Sequence, residues 1–463
     1  MIKNTNNLGV FFNPKSIAII GASDTFKFGY AMTNYLLSSE FKTYPVNIKK
    51  KEILGHKAFK SIIDIPDTIE LAIIIVPNDQ VLDAVKDCVK KQVKGIIIET
   101  AGFAETGIEK YIKIQQAIEK IAHATKIRII GPNCVGITNF KNKFTTTEIE
   151  FTKVLDAGKI SIIAQSGVLG NIFIDWGASQ KIAFSKSITL GNKVDVDEVD
   201  MLEFLENDAD TEVITLYLEG VKRGKKLLEV LRNLTKPVII LKNGRSEIGS
   251  NAIKSHTGSI AGDDKIFDAI FKQFSGIYRV NNFFEMFDIA QVFATQPLMS
   301  GKNIAIITAS GSLGALACDE IQKVGLNLAP LNELTKESMK LIAPNWTSLR
   351  NPVDLGPSLL MTFKPALKAL MNDENVDAIL YIFTVPRKPL EDFSIPITPQ
   401  LSEIRNYVKR FKKPLIICVF GSRWVLDYFL KDSTRYQIPI MTRVDHAIKA
   451  FKMMYDFKNS NKL

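Results

Sequence analysis

The strongest constraint on the fold is a regular alternation of short runs rich in valine and isoleucine with longer stretches of mixed composition. Short, continuously apolar runs are typical of strands that are buried on both faces of a parallel sheet. Segments 79–91 and 109–125 lie between such runs, and their apolar residues recur at the spacing of a helix. Strands and helices that alternate in this order predict parallel α/β units.

The alternation occurs in three series, which a polar stretch at 139–156 and a linker at 296–302 separate. The predicted strands cover 16–20, 43–46, 71–76, 95–99 and 127–130, then 159–164, 185–190, 213–218 and 237–242, then 303–308, 327–329, 378–383, 414–419 and 439–441. A chain of 463 residues is too long for a single core. We therefore predict an α/β protein with three consecutive doubly wound domains, at 1–138, 139–298 and 299–463. The proline-rich segment 386–399 is predicted to be a surface loop.

Composition argues against several classes of protein. The longest apolar runs stop far short of the roughly 18 residues that a membrane-spanning helix needs, and the first residues lack the apolar core of a secretory signal. The four cysteines are far apart and form no CxxC pair, so we expect no metal site and a cytoplasmic location. The net charge of +10 favours anionic partners. Because the lysines are dispersed, phosphorylated small molecules fit this charge better than nucleic acid does.

The first series predicts a nucleotide site at the carboxyl edge of its sheet, where ligands of parallel sheets bind. The strand at 16–20 runs into a turn and then a helix, which together present backbone N–H groups to a phosphate. The turn lacks the G-x-G-x-x-G pattern, since only Gly21 lies at the bend. The candidate cofactor-binding residues along this edge are Gly21, Ala22, Ser23, Lys27, Asn47, Lys49, Val76, Pro77, Ala101, Gly102 and Asn133.

The end of the second strand bears on which nucleotide is bound. A NAD site would have an acidic residue there, to bind the ribose hydroxyls. This chain has Asn47 and Lys49 instead, which suit an additional phosphate such as the 3′-phosphate of coenzyme A. The same residues match an NADP site, which keeps a redox function open. A strand end with solvated lysines and no ligand is the third alternative.

Two similar turns predict phosphate-binding helix starts in the second and third series. Each follows a strand, is rich in glycine and serine, and opens a helix whose N-terminus carries a partial positive charge. The candidate phosphate-binding residues are Gln165, Ser166 and Gly167 in the first of these turns, and Ser310, Gly311 and Ser312 in the second. Such turns also join strands to helices without binding any ligand. A serine nucleophile is not expected, because the G-x-S-x-G pattern is absent.

His256 is one of only four histidines and lies in a segment of small residues that we expect to be an accessible loop. Neutral imidazole is a good nucleophile near pH 7 and can accept a phosphoryl group covalently. Glu219 follows a strand and is expected to hold the imidazole N–H; an exposed loop acid is the alternative. A loop histidine that only bonds to the backbone is the alternative for His256.

An acidic cluster follows the strand at 185–190. A solvated helix start with acidic capping explains it better than a metal site does. The cluster comprises Asp195, Asp197, Glu198 and Asp200.

The motifs together resemble those of one family, over nearly the whole chain and in the same order. They are FFNPKSIAIIGAS, YPVNIK, IVPNDQV, TAGFAE, GPNCVGI, AQSGVLG, TLGNKVDVDEVDMLEFL, YLEG, LKNGRS, SHTGSIAGDD and NPVDL. The chain resembles the α subunit of an ADP-forming acetyl-CoA synthetase, a member of the NDP-forming acyl-CoA synthetases in the succinyl-CoA synthetase superfamily. The resemblance implies a Rossmann-like CoA-binding domain followed by two flavodoxin-like CoA-ligase domains.

The resemblance also implies a reaction, in which acyl-CoA, phosphate and ADP give free acid, CoA and ATP. Phosphate attacks the thioester to form an acyl phosphate, and a histidine then carries the phosphoryl group to ADP. On this chain the family's phosphohistidine corresponds to His256, its stabilising acid to Glu219, and its first phosphate-binding helix start to Gln165, Ser166 and Gly167. The third series departs from the family's run of glycines at Ala309 to Ser312.

The family binds ADP or ATP, with Mg²⁺, on an ATP-grasp module that this chain does not contain. The resemblance therefore implies an ATP-grasp β subunit as partner and a hetero-oligomer of the α2β2 kind. Two alternatives stay open from the residues: an NADP-dependent oxidoreductase that uses the first domain, and a non-catalytic CoA-binding sensor. The missing G-x-G-x-x-G argues against the first, and the intact 255–258 segment argues against the second.

Overall fold

The computed structural model describes residues 8–151, 156–257, 264–392, 394 and 398–460, without the side chains of 253–257 and 398–399. Contacts divide the chain into two compact units. One comprises Met1–Ser179 and Ala183–Arg279, and the other comprises Gln180–Ile182 and Val280–Leu463. The first unit contains two large sheets and the second contains one.

The first sheet has five parallel strands in the order β2-β1-β5-β6-β7. Its elements are α1 (Gly9–Phe12), β1 (Ile17–Ile20), α2 (Tyr30–Ser38), β2 (Thr43–Val46), the hairpin β3 (Glu52–Ile53) and β4 (His56–Lys57), β5 (Leu71–Ile74), α3 (Asn78–Lys90), β6 (Gly95–Ile98), α4 (Glu109–Thr125) and β7 (Arg128–Ile130), with short 3₁₀ turns at Ile62–Asp64 and Ala104–Thr106. Every residue of β1, β5, β6 and β7 is buried, because helices cover both faces of the sheet.

The second sheet has seven strands in the order β14-β13-β12-β10-β11-β8-β9, of which β8 and β9 are antiparallel additions at one edge. Its elements are β8 (Ile137–Asn139), β9 (Phe144–Thr145), β10 (Ile160–Ala164), α5 (Gly167–Ser179), β11 (Phe184–Thr189), α6 (Glu198–Glu206), β12 (Val213–Leu218), α7 (Gly224–Asn233), β13 (Val238–Lys242), α8 (Glu247–Thr257), α9 (Asp264–Gln273) and β14 (Ile277–Arg279). One face of the first sheet shares a core cluster with the second sheet, and Phe12 of this cluster stacks on Phe204 at 5.1 Å between ring centres. The other face of the first sheet has a separate cluster.

The third sheet has the order β16-β15-β18-β19-β20, with β17 pairing beside β15. Its elements are α10 (Phe283–Thr295), β15 (Asn303–Thr308), α11 (Gly311–Lys323), β16 (Asn327–Leu328), α12 (Glu333–Lys340), β17 (Val353–Asp354), a 3₁₀ turn at Gly356–Ser358, α13 (Leu359–Asn372), β18 (Ala378–Phe383), α14 (Arg387–Asp392), α15 (Thr398–Phe411), β19 (Leu415–Val419), α16 (Arg423–Tyr436), β20 (Ile440–Met441) and α17 (Val444–Ser460). These residues have their own core cluster.

The three sheets share one topology. In each, the main parallel strands lie in the spatial order second, first, third, fourth and fifth along the chain. This is a doubly wound order, in which ligands bind at the carboxyl edge between the first and third strands. The predicted fold class is therefore confirmed. Within the described residues, no helix is both long and apolar enough to cross a bilayer.

One hairpin was not predicted, and one local prediction is wrong. The polar stretch at 139–156 contains β9, and the residues before it contain β8; the threonines of this hairpin face one another, with 2.9 Å between the hydroxyls of Thr138 and Thr145. The segment 386–399 is not a continuous loop, because α14 lies within it and α15 begins at Thr398. The ion pair from Arg387 to Glu391, 2.7 Å long, has the i,i+4 spacing that supports a helix there.

Candidate functional site

The predicted cofactor edge begins at Gly21, directly after β1. Gly21 has φ +101°, and a Cβ atom there would lie 3.0 Å from the carbonyl carbon of Ile75 and 3.1 Å from Val76 Cγ1. Only glycine allows this backbone conformation and this close approach. The turn after β1 is therefore held against the exit of β5, at the point where the strand order reverses.

The exit of β2 is tied to the same turn through Asn47. Its Nδ2 donates to the carbonyl of Ala22 at 2.8 Å, and its Oδ1 accepts from the backbone N–H of Lys49 and Lys50 at 2.9 and 3.0 Å. The Asn47 amide thus shapes the loop, and the side chains of Lys27 and Lys49 extend from the edge into solvent. Lys50 forms an ion pair with Asp24, which sequence reasoning missed.

Hydrogen bonds connect the remaining exits of this sheet in series. The Thr100 hydroxyl donates to the carbonyl of Val76 at 2.7 Å, and the Asn133 N–H donates to the carbonyl of Thr100 at 3.0 Å. Asn78, the first residue of α3 after Pro77, donates from Nδ2 to the carbonyl of Gly102 at 2.8 Å. Ser23 is buried in the first turn and Ala101 is exposed at the fourth exit. The structure therefore brings all the predicted cofactor residues to one edge.

Asn192, which was not predicted as a site residue, joins this edge to the second sheet. Its Nδ2 donates to Glu105 Oε2 at 2.6 Å and to Gln115 Oε1 at 2.8 Å, while its Oδ1 accepts from Asn133 Nδ2 at 3.3 Å. The signal that could have identified it is its position three residues after the end of β11, at the carboxyl edge of the second sheet.

The first predicted phosphate turn places Glu219 beside the start of α5. Gln165 is buried, and its Oε1 accepts from the backbone N–H of Glu219 at 2.9 Å and of Gly220 at 3.0 Å. Ser166 and Gly167 follow, and α5 begins at Gly167 as predicted. One amide side chain therefore holds the exit of β12 against a helix N-terminus, whose partial positive charge favours an anion.

The surroundings of Glu219 are polar but desolvated. Burial, together with the nearby Glu219 carboxylate, raises the pKa of Tyr217 to about 12, and the Tyr217 hydroxyl accepts from Asn243 Nδ2 at 2.7 Å. Lys242 is fully buried, and its ammonium lies 4.9 Å from the centre of the Phe267 ring. Burial lowers the pKa of Lys242 against the opposing attraction of Asp264 and Glu219. Lys242 was also missed, because its position in an apolar strand resembles an ordinary strand end.

The prediction that His256 lies in a loop is wrong for its backbone, which belongs to the last turn of α8. The start of this helix is stabilised by Ser246, whose Oγ accepts from the Gly249 N–H at 3.1 Å, and by Glu247 in the first turn. The side chain of His256 lies outside the described residues, as does the segment 258–263. A contact between the His256 imidazole and Glu219 therefore stays a prediction.

The second predicted phosphate turn opens α11, which begins at Gly311 as expected. The hydroxyls of Ser310 and Ser312 lie 2.9 Å apart. A Cβ atom on Gly311 would lie 3.0 Å from Oδ2 of Asp354, so a carboxylate of the chain itself already sits at this helix start. Phosphate binding at this turn stays a prediction, and it would have to compete with that negative charge.

The acidic cluster caps α6, as predicted, but it is not solvated. Asp197 is the N-cap and forms a capping box with Asp200, and both carboxylates are buried. Burial alone would raise the pKa of Asp197, but hydrogen bonds from Arg223 bring it below its usual value. Arg128 of β7 pairs with Asp195 at 2.8 Å and lies 3.3 Å from Asp200. No group of residues that could hold a metal ion occurs in the described part of the chain.

Comparisons with known proteins agree with this arrangement. A CoA binding domain model matches residues 15–139, and a model of the succinyl-CoA ligase like flavodoxin domain matches 157–293. Subunit alpha of an acetate–CoA ligase [ADP-forming] II from Pyrococcus furiosus is 44% identical over 82% of this chain and 83% of its own length. The chain belongs to the ADP-forming acetate–CoA ligase family.

Other relatives match along nearly the whole chain. An acetate–CoA ligase [ADP-forming] from Methanocaldococcus jannaschii is 40% identical over 96% of this chain, which spans 62% of that longer relative. The structure of a dinucleotide-forming acetyl-coenzyme A synthetase 1 from Ca. Korarchaeum cryptofilum, in complex with phosphate and ADP, superposes with a TM-score of 0.87. It is 29% identical, and the match covers 99% of this chain and 98% of the other.

Proposed function

We propose that this chain is the α subunit of a reversible NDP-forming acyl-CoA ligase, in which acyl-CoA, phosphate and ADP give free acid, CoA and ATP. The observation that carries the proposal is the pair of hydrogen bonds that Gln165 Oε1 accepts from the backbone of Glu219 and Gly220, which hold this loop at the start of α5. Family membership supports the same activity, and relatives named as acetate–CoA ligases make acetyl-CoA the first substrate to test.

In the proposed reaction, CoA lies along the carboxyl edge of the first sheet. Gly21, Ala22 and Ser23 form the turn at the reversal of strand order, where a pyrophosphate is expected to bind. Lys27 and Lys49 are exposed beside this turn and supply positive charge for the phosphates. The rest of the edge consists of the loops that follow β5, β6 and β7, at Val76, Pro77, Ala101, Gly102 and Asn133.

Phosphate binds at the start of α5, at Gln165, Ser166 and Gly167. One of its oxygens attacks the thioester carbon, and CoA leaves as the thiolate, which yields an acyl phosphate. His256 then takes the phosphoryl group from the acyl phosphate and releases the free acid. Glu219 accepts the imidazole N–H and so stabilises the positive charge that develops on the ring. The second helix start, at Ser310, Gly311 and Ser312, is proposed as a further phosphate site.

The nucleotide is proposed to bind on a partner, an ATP-grasp β subunit in an α2β2-like assembly, together with Mg²⁺. The first sheet of this chain is assigned to CoA, the second to phosphate and the carrier histidine, and the third to the further phosphate site. The relative from M. jannaschii is longer than this chain, which leaves room for such a module within a single polypeptide. A cytoplasmic location stays part of the proposal, because the four cysteines are free thiols, as reducing compartments favour.

The carrier role of His256 can be tested by following acid-labile label. The chain is incubated with acetyl-CoA and labelled phosphate, and the label is located by digestion and mass spectrometry. His256→Ala should abolish labelling and turnover with its partner present, while CoA binding stays within about twofold. His123→Ala, an exposed histidine at the end of α4, is the matched control and should label normally. Normal labelling of His256→Ala would contradict the proposed carrier.

The cofactor assignment is tested by calorimetry against CoA, NAD and NADP. We expect CoA to bind and the dinucleotides to give no signal. Lys49→Ala should weaken the binding of CoA more than the binding of 3′-dephospho-CoA, because Lys49 is proposed to contact the 3′-phosphate. Micromolar NADP binding without a CoA signal would favour the oxidoreductase instead, and CoA binding without labelling of any histidine would favour the non-catalytic sensor.

A further inference from the structure

A small cavity lies between the cofactor edge of the first sheet and the start of α5. Its volume is about 30 Å³, and its lining includes Phe28, Met32, Glu99, Val135, Thr146 and Asn171. A space of this size holds only a few non-hydrogen atoms. All of these residues belong to the same compact unit.

The position of the cavity connects the two proposed binding sites. Glu99 follows β6 directly, and its N–H donates to the carbonyl of Ile74 at 3.1 Å, so the cavity begins at the cofactor edge. On the other side, a Cβ atom on Gly167 would lie 3.3 Å from the N atom of Val135, so the start of α5 packs on the cavity wall. Asn171, four residues into α5, lines the cavity itself.

Two buried polar atoms of the lining have no hydrogen-bond partner among the described residues. They are Oε1 of Glu99 and Oδ1 of Asn171. Glu99 is only 5% exposed, and a buried polar group without a partner costs about 1 to 3 kcal/mol. Gly136 makes room for this carboxyl, because a Cβ atom there would lie 2.8 Å from Glu99 Oε1. The Glu99 carboxyl interacts with the Thr146 hydroxyl, but its Oε1 has no partner in the described part of the chain and lies beside a cavity, which indicates that a ligand is its partner.

We propose that this cavity is the acyl subsite, and that the carboxyl of Glu99 donates a hydrogen bond to the carbonyl oxygen of the acyl thioester. The proposal rests on the proposed function and names its substrate-recognition site. The cavity accepts a short acyl chain such as acetyl, with the methyl group toward Met32 and Val135. Asn171 bounds the cavity on the side of α5.

Glu99 can donate because it is protonated near neutral pH. Burial raises its pKa to about 8, against the opposing effect of the Thr146 hydroxyl, and the negative charge of Glu148 adds to the rise. The other titratable group that faces it is the buried thiol of Cys134, whose pKa is also raised by burial. The neutral acid is therefore the donor below pH 8, and ionisation above pH 8 removes it.

In the proposed step, a phosphate oxygen forms a bond to the acyl carbon, and the carbonyl electron pair moves onto the carbonyl oxygen. Glu99 keeps its proton and donates to this developing oxyanion. The pair then returns, the C–S bond breaks, and CoA leaves as a thiolate with the sulfur electron pair. Glu99 thus stabilises the charge on oxygen in the transition state without gaining or losing a proton.

The test uses the full chain with its partner subunit and compares Glu99→Leu, which removes the donor, with Glu99→Gln, which keeps an N–H donor of similar shape. Glu99→Leu should lower kcat/KM for acetyl-CoA by about 10²-fold, the scale for loss of one oxyanion donor. Glu99→Gln should stay within about tenfold of the natural chain and should lose the decline in rate above pH 8. Both should bind free CoA as before, as should the control Glu109→Gln, which changes an exposed side chain in the first turn of α4.

A second variant tests the location of the acyl group and does not change Glu99. Met32→Ala should enlarge the cavity and raise the ratio of kcat/KM for butyryl-CoA over acetyl-CoA by about tenfold or more. Unchanged turnover in Glu99→Leu, equal losses in Glu99→Leu and Glu99→Gln, or an unchanged ratio in Met32→Ala would each overturn the acyl subsite. A chain that fails to bind CoA at all would instead contradict the proposed function.

Discussion

At the scale of single residues, Gln165 links binding to chemistry. Its Oε1 accepts hydrogen bonds from the two backbone N–H groups that follow β12, those of Glu219 and Gly220. These bonds fix the backbone that carries the Glu219 carboxylate. A loop that only packed against α5 would be free to shift, whereas two hydrogen bonds to one buried oxygen define its position. The same amide therefore stabilises the fold and sets the geometry of the proposed catalytic acid.

Replacing Gln165 by leucine should destabilise the chain by about 2 to 4 kcal/mol, because two buried N–H donors lose their acceptor. Gln165→Glu keeps an acceptor oxygen and should cost less than half as much. Denaturant unfolding of the two variants measures both effects. Equal stability of Gln165→Leu and the natural chain would show that the donors find other partners.

Glu219→Gln keeps the volume of the side chain and removes its charge. If the carboxylate stabilises a charged imidazole, phosphorylation of His256 should slow by about 10²-fold, on the scale of general acid–base and charge effects. Rapid-quench labelling measures the rate, and circular dichroism checks that the chain stays folded. The exposed Glu229 of α7 provides the control, Glu229→Gln, which should label at the natural rate. If Glu219→Gln is phosphorylated on His256 at the natural rate, the Glu219 carboxylate does not stabilise the imidazole.

At the scale of elements, buried ion pairs fasten the first sheet to α6. Arg128 on β7 meets Asp195 and Asp200, while Arg223 meets Asp197 and Asp200. Charges this deeply buried need their partners, because desolvation is costly. The acidic motif before α6 is therefore structural, and it holds the loop of Asn192 beside the cofactor edge.

Arg128→Met should destabilise the chain by about 3 to 5 kcal/mol, since it removes the cation that pairs with the buried Asp195 and leaves Asp200 with Arg223 alone. Lys159→Met is the control; it removes one half of the exposed pair with Glu212 and should change the stability by no more than about 1 kcal/mol. Thermal unfolding at pH 7 measures both. A change in Arg128→Met no larger than in the control would mean that water replaces the lost partner.

The sequence predicted the elements whose signal is local. Continuous apolar runs identify the central strands of all three sheets, and the Gly167 and Gly311 helix starts follow from the turns before them. The β8–β9 hairpin was missed because its strands are only three and two residues long and mix apolar with polar buried residues, among them Thr138 and Thr145, which pair with each other. Glu99 was missed for a related reason: Thr146 and Glu148, which line the same cavity, follow this hairpin and are distant from Glu99 in sequence.

At the scale of the whole molecule, the chain is expected to need a partner to make ATP. Purified alone, it should bind CoA and form labelled histidine from acetyl-CoA and phosphate, yet give no ATP when ADP and Mg²⁺ are added. Adding an ATP-grasp subunit should restore ATP formation, with an interface well above about 1,000 Å². Coupled luminescence of the isolated chain and of the mixture checks this. ATP synthesis at an enzymatic rate by the isolated chain would mean that one of its domains has been misassigned.

The antiparallel strands β8 and β9 have a practical consequence for dissecting this protein. They follow the strands of the first sheet in sequence but pair with the edge of the second sheet. Without them, β11 would be an edge strand. A fragment cut to the matched flavodoxin domain, beginning at residue 157, would expose the N–H and C=O groups of β11 to any other strand. Such a fragment is expected to aggregate. A fragment that begins before Ile137 would retain β8 and β9, which cover the edge of β11. The boundary between the two family models is therefore not a suitable truncation point, because strands that precede it belong to the sheet that follows it.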